Sequence, residues 1–129
     1  MVATRRWVRG IFWIDGLGAL AAGTCLLVFR GFFGGLYELP LNLITVLGLV
    51  NLAYASFALT LAALSHRRLA LVTGLAIANY FWALVCVLLV IRFTGDASFF
   101  GLSHFVLEGA WVAALGTVEW RNRRELAGE

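Results

Sequence analysis

In "GLSHFVLEGAW" (101–111) a histidine and a carboxylic acid stand four positions apart inside an otherwise apolar segment. On a helix that spacing puts His104 and Glu108 on one face, with Trp111 on the same stripe. An imidazole and a carboxyl so placed can pass a proton, bind a polar group or supply two ligands to a metal. Two ligands do not make a site, and Asp96 is the only obvious third donor nearby. Ser103 adjoins His104, but helical neighbours point about 100° apart, so the pair is no nucleophile and base. His66 lies between two spans and His104 near the opposite face, which rules out a haem clamped by two histidines of one chain. The glycines form no phosphate-cradling loop. The expectation is a protein without metal or cofactor, and a non-enzymatic one ahead of an enzyme.

The elements carrying these residues follow from composition. Hydrophobic residues make up 62% of the 129 and charged ones 13%, against roughly 45–50% apolar in soluble domains. Four apolar runs, about 10–29, 42–64, 69–91 and 101–119, are each long enough to cross a hydrocarbon core of about 30 Å as a helix. Lipid offers no partner to backbone polar groups, so the runs must be helical; the alternation a barrel needs is missing. The fold class is all-α, an integral membrane bundle of four antiparallel transmembrane helices in a single domain. The link "SHRR" (65–68) is so short that spans two and three should be antiparallel neighbours. Segment 30–42, with three glycines, the only proline and three aromatics, reads as irregular chain at headgroup level, with Pro40 and Asn42 as start signals for span two. Asp96 or Ser98 is available to cap span four.

All ten basic residues are arginine. Arg5, Arg6, Arg9, Arg67, Arg68, Arg121, Arg123 and Arg124 fall on one side of the spans, Arg30 and Arg92 on the other. The positive-inside rule then places both termini in the cytoplasm. The multi-pass chain is expected in a plasma membrane, a bacterial inner membrane, and arginine-only usage suggests G+C-rich coding. The basic residues suit anionic lipid headgroups; they form no stripe with aromatics between them, so no nucleic acid is expected as a partner. Asp15 interrupts the first apolar run and three more spans follow, which argues against a cleaved signal peptide. Cys25 and Cys86 make no C-x-x-C; they share a depth and could be neighbours, but small packing residues is the simpler reading.

Depth then sorts the polar residues. Counted from the cytoplasmic ends of the spans at 1.5 Å per residue, Asn51 sits about 19 Å up, Tyr54 and Asn79 about 15 Å, Glu108 about 17 Å, Asp15 about 9 Å and His104 about 22 Å. Asn51, Tyr54, Asn79 and Glu108 therefore share a level near the midplane. An acid facing lipid there costs about 2.5–3.5 kcal/mol, so Glu108 must face inward toward amides and a phenol. Asp15 belongs to that cluster or to the rim, within reach of Arg9 or Arg121. Trp82, one turn from Asn79, adds an aromatic wall. On span one, Asp15, Gly18 or Ala19, Ala22 and Cys25 form the small-residue face expected to meet the bundle.

Four short spans with an acid in the first, Asp15 in "FWIDGLGAL", resemble the small multidrug resistance transporters. That resemblance implies proton-coupled exchange through Asp15, which stands where that family has glutamate, in a homo-oligomer. From the residues themselves, the first reading is a polar midplane pocket made of Asp15, Asn51, Tyr54, Asn79, Trp82, His104, Glu108 and Trp111 that binds a small amphipathic molecule or lipid. A proton-coupled small-molecule transporter, a structural subunit of a larger membrane complex, and plain interhelical adhesion by the same polar groups are the alternatives.

Overall fold

The computed structural model describes residues 10–128; Arg5, Arg6 and Arg9 of the topological argument lie outside them. The described chain is all-α. Its four long helices, α1 (Ile11–Val28), α3 (Leu41–Ala63), α4 (Leu69–Phe93) and α5 (Phe99–Arg121), coincide with the four apolar runs. Each is long and apolar enough to cross a membrane. Two short helices complete the described residues, α2 (Arg30–Tyr37) and α6 (Arg123–Leu126). The hydroxyls of Thr45, Ser56, Thr60 and Thr117 bond back to carbonyls one turn earlier in their own helices, as Thr60 does to Ser56 (2.6 Å), and Thr117 also meets the Tyr80 hydroxyl at 2.8 Å.

The long helices associate as two pairs. α1 lies along α3, and α4 along α5, while contact between α3 and α4 is confined to a short stretch. The short hairpin therefore joins two pairs instead of forming one, which corrects the expected packing of spans two and three. The reason lies in glycine. A Cβ on Gly23 would stand 2.8 Å from the Gly48 carbonyl oxygen, and one on Gly16 2.6 Å from Leu59. Residues 16 and 23 facing 59 and 48 also fix the pair as antiparallel. Gly109 on Cys86 and Gly116 on Asn79 do the same for α4 and α5. Close backbone approach is the main source of helix association where lipid removes the hydrophobic drive. No such glycine stripe joins α3 to α4.

Apolar clusters close both ends of the boundary between the pairs. At the end bearing the 64–68 link, here the lower end, Phe12, Ala58, Leu61, Val72, Leu75, Leu115 and Leu126 pack together. Arg67 seals that end: its guanidinium donates to the carbonyls of Leu61 (2.5 Å), Ala62 (3.3 Å) and Leu126 (3.1 Å) and lies over the Phe12 ring. Partial burial pulls its pKa below the usual arginine value. At the upper end Leu26, Tyr37, Ile44, Leu47 and Phe105 form the second cluster.

Segment 30–42 is mostly helix rather than irregular chain. Phe33 and Tyr37, one turn apart on α2, pack onto the upper cluster, and that burial outweighs the helix cost of about 1 kcal/mol per glycine. Glu38, at φ 54°, ends α2 with its N–H on the Gly34 carbonyl, and Pro40 opens α3. Ser98, not Asp96, caps α5: its hydroxyl accepts from the Gly101 N–H (3.2 Å) and donates to the Leu36 carbonyl (2.7 Å). Asp96 pairs with exposed Arg92. Gly101 is required there, because a Cβ would meet the Tyr37 carbonyl oxygen at 2.7 Å.

Candidate functional site

Between the two helix pairs lies a cavity of about 760 Å³. Its walls are mainly apolar, and its polar side chains gather in two groups. All eight residues singled out in the sequence border it, from Asp15 on α1, Asn51 and Tyr54 on α3, and Asn79 and Trp82 on α4, to His104, Glu108 and Trp111 on α5. Gly18, Ala19 and Ala22 also line it, so that face of α1 meets empty space rather than a helix. The packing face of α1 runs instead through Phe12, Gly16, Gly23 and Leu26. Cys25 is exposed and Cys86 buried, and both thiols are free.

The upper group is a chain of hydrogen bonds. Tyr37 Oη lies 3.0 Å from His104 Nδ1, His104 Nε2 lies 3.1 Å from Glu108 Oε2, and Asn51 Nδ2 reaches Glu108 Oε1 at 3.4 Å. Asn51 also donates to the Leu47 carbonyl at 2.8 Å. A neutral imidazole can donate to the carboxylate from Nε2 only if Nδ1 accepts, which makes the Tyr37 phenol the donor. Burial and the Glu108 charge both raise the Tyr37 pKa above the ordinary phenol value, so it keeps its proton.

The lower group is tighter. Tyr54 Oη donates to Asp15 Oδ2 at 2.5 Å, and Asn79 Nδ2 bridges Asp15 Oδ2 (3.2 Å) and Glu119 Oε1 (2.6 Å). Asp15 is 2% exposed, Asn79 1% and Glu119 0%. Asp15 is thus inside the protein, not snorkelling at a rim.

The single midplane level read from the sequence is in fact two levels. The last apolar run ends at Glu119, but α5 runs on to Arg121 and α6 follows, and Glu119 is buried. Glu108 stands eleven residues, three turns or about 16 Å, above it. Sequence reasoning missed Glu119 and Tyr37. The first was detectable: Glu108, Leu115, Gly116 and Glu119 follow helical spacing, so the inward stripe that carries one acid carries the other. Tyr37 was hidden among the aromatics of a segment read as irregular.

Among the described residues no group of three or more His, Cys, Asp or Glu side chains is placed to hold a metal ion. Compared with family models, curated proteins and solved structures, the chain matches none of them.

Proposed function

We propose that the chain is a four-span antiparallel membrane bundle, both termini cytoplasmic, that binds a small amphipathic molecule or a lipid between its helix pairs without catalysing its conversion. Supporting the orientation, among the described residues Arg67, Arg68, Arg121, Arg123 and Arg124 belong to the lower end and Arg30 and Arg92 to the upper. A bacterial-type plasma membrane fits the arginine-only basic residues.

The observation that carries the binding reading is the cavity itself. Ligand pockets run to about 300–1,000 Å³, mostly apolar with a few polar groups that fix orientation; here the volume is about 760 Å³ and the polar groups are the His104–Glu108–Asn51 chain. Residues on its border face outward along the span: Leu107 is 70% exposed and Trp111 50%. An acyl chain or hydrophobic tail can therefore enter sideways from lipid, its polar head meeting Glu108. Adhesion alone would close the helices on one another and leave no such volume.

The test is native mass spectrometry of the full chain released from gentle detergent. The wild type should retain one small amphipathic adduct, and Glu108→Gln together with Gly18→Leu, which fills the cavity, should lose it. A wild type that emerges bare from every detergent, while remaining folded, overturns the reading.

A further inference from the structure

The lower polar group has fewer donors than its acids require. Asp15 and Glu119 bring four carboxyl oxygens into the interior, and Tyr54 and Asn79 donate to them: a phenol to Asp15 and one amide nitrogen shared by both acids. Glu119 Oε2 is fully buried and has no hydrogen-bond partner. α1 contributes Asp15, α3 Tyr54, α4 the neutral Asn79 and α5 Glu119, with Glu108 three turns above. From the link below, Arg67 commits its donors to carbonyls; Arg123 of α6 lies over Trp120. Among the described residues the ion pairs are Arg92–Asp96 and His104–Glu108, and neither involves these two acids.

Two buried carboxyl groups bridged by one amide, and ion-paired to no cation among the described residues, cannot both be ionised. We propose that Asp15 and Glu119 form a buried proton-binding site in which one proton, shared by the two carboxyl groups, clasps the two helix pairs together. Asn79 Nδ2, 3.2 Å from Asp15 Oδ2 and 2.6 Å from Glu119 Oε1, holds the two carboxyl groups side by side. A proton on Oε2 turns the orphaned acceptor into a donor, and the pair takes on the form R–COOH···⁻OOC–R, one negative charge in place of two. No other bond changes. Asp15 and Tyr54 belong to the first helix pair and Asn79 and Glu119 to the second, so the shared proton acts on the boundary that also holds the cavity. Losing it leaves two like charges facing each other across that boundary. The site stands whether or not the cavity above holds an amphiphile.

The test is infrared spectroscopy of the full chain in detergent with carboxyl-¹³C aspartate and glutamate. At neutral pH the wild type should show a buried carboxylic acid C=O band. Glu119→Gln and Asp15→Asn should each abolish it, because an amide N–H takes the place of the proton and keeps the fold, as a thermal melt would register. Glu108→Gln should leave the band in place, as should exchange of sodium for choline. Raising the pH until the band disappears should speed amide hydrogen exchange at the lower ends of α1 and α5 in the wild type and not in Glu119→Gln. A wild type with no acid band, a band lost in Glu108→Gln instead, or one that sodium removes by occupying the site overturns the proposal. Band loss without faster exchange overturns the clasp.

Discussion

Gly116 holds the backbone of α5 against Asn79: a Cβ at Gly116 would stand 3.0 Å from Asn79 Cβ and 3.2 Å from the Ala76 carbonyl oxygen. That approach lets one short amide reach both Asp15 and Glu119. Its neighbour across the gap is partly backbone, which gives way only if the helices separate. Gly116→Val should therefore destabilise the fold by about 1–3 kcal/mol, the usual cost of overpacking. Thermal unfolding in detergent measures it, and a melting temperature equal to the wild type's would show that the helices have room to spare.

Two glycines of α1 one to two turns apart should respond in opposite ways. Gly23 faces the Gly48 carbonyl oxygen at 2.8 Å, whereas the nearest atom to a Cβ on Gly18 is Trp111 Nε1 at 4.0 Å. Gly18→Ala should be neutral or stabilising by roughly 0.5–1 kcal/mol, the helix-propensity gain. Gly23→Ala should lower stability despite the same gain, because it forces α1 from α3. Paired melts of the two variants decide the matter; equal shifts would contradict the packing.

The four helices were legible because a span needs only length and apolarity, which "LALVTGLAIANYFWALVCVLLVI" displays outright. Which helices pair was not. The 65–68 link suggested α3 with α4, but pairing depends on where glycines line up between helices, and Gly16, Gly23 and Gly48 identify each other only once the helices are rotated into place. Glu108 was legible as inward-facing, and Asn79 as needing a partner, from the cost of a polar group in lipid, whereas Asp15 read equally as cluster or rim. Their partners were not, since depth counting depends on the helix ends, and one wrong end on α5 turned buried Glu119 into a surface residue. α2 was missed because its three glycines outvoted the turn-spaced Phe33 and Tyr37, whose contacts lie on other elements.

Tyr37 links the upper end of the fold to pH. Its pKa is raised above the ordinary value of 10.0 by burial and by Glu108. The unfolded chain then releases this proton more readily than the folded one, so the folded state loses stability as pH rises past about 10, and keeps the full contribution below. Tyr37→Phe retains the ring contacts with Phe33 and His104 and removes the hydroxyl. It should lower stability at neutral pH by about 0.5–1.5 kcal/mol and show a shallower alkaline decline than the wild type. Denaturation curves across alkaline pH would register this, and parallel declines would remove Tyr37 from the account.

Trp111 reports on what lies at the side of the cavity. The ring borders the cavity, is 50% exposed and has Nε1 close to Gly18 of the facing pair. With the four long helices across a bilayer, Trp111 is about three turns from the last residue of α5, deep among acyl chains and away from headgroups. Lipids brominated along their tails should quench its fluorescence, and aqueous iodide should not. Because Trp7, Trp13, Trp82 and Trp120 also emit, the measurement is the difference between wild type and Trp111→Phe in the same vesicles. The component lost in the variant should be the one quenched by bromine. If iodide quenches it instead, the cavity opens to water at that level, and a lipid tail has no route in from the side.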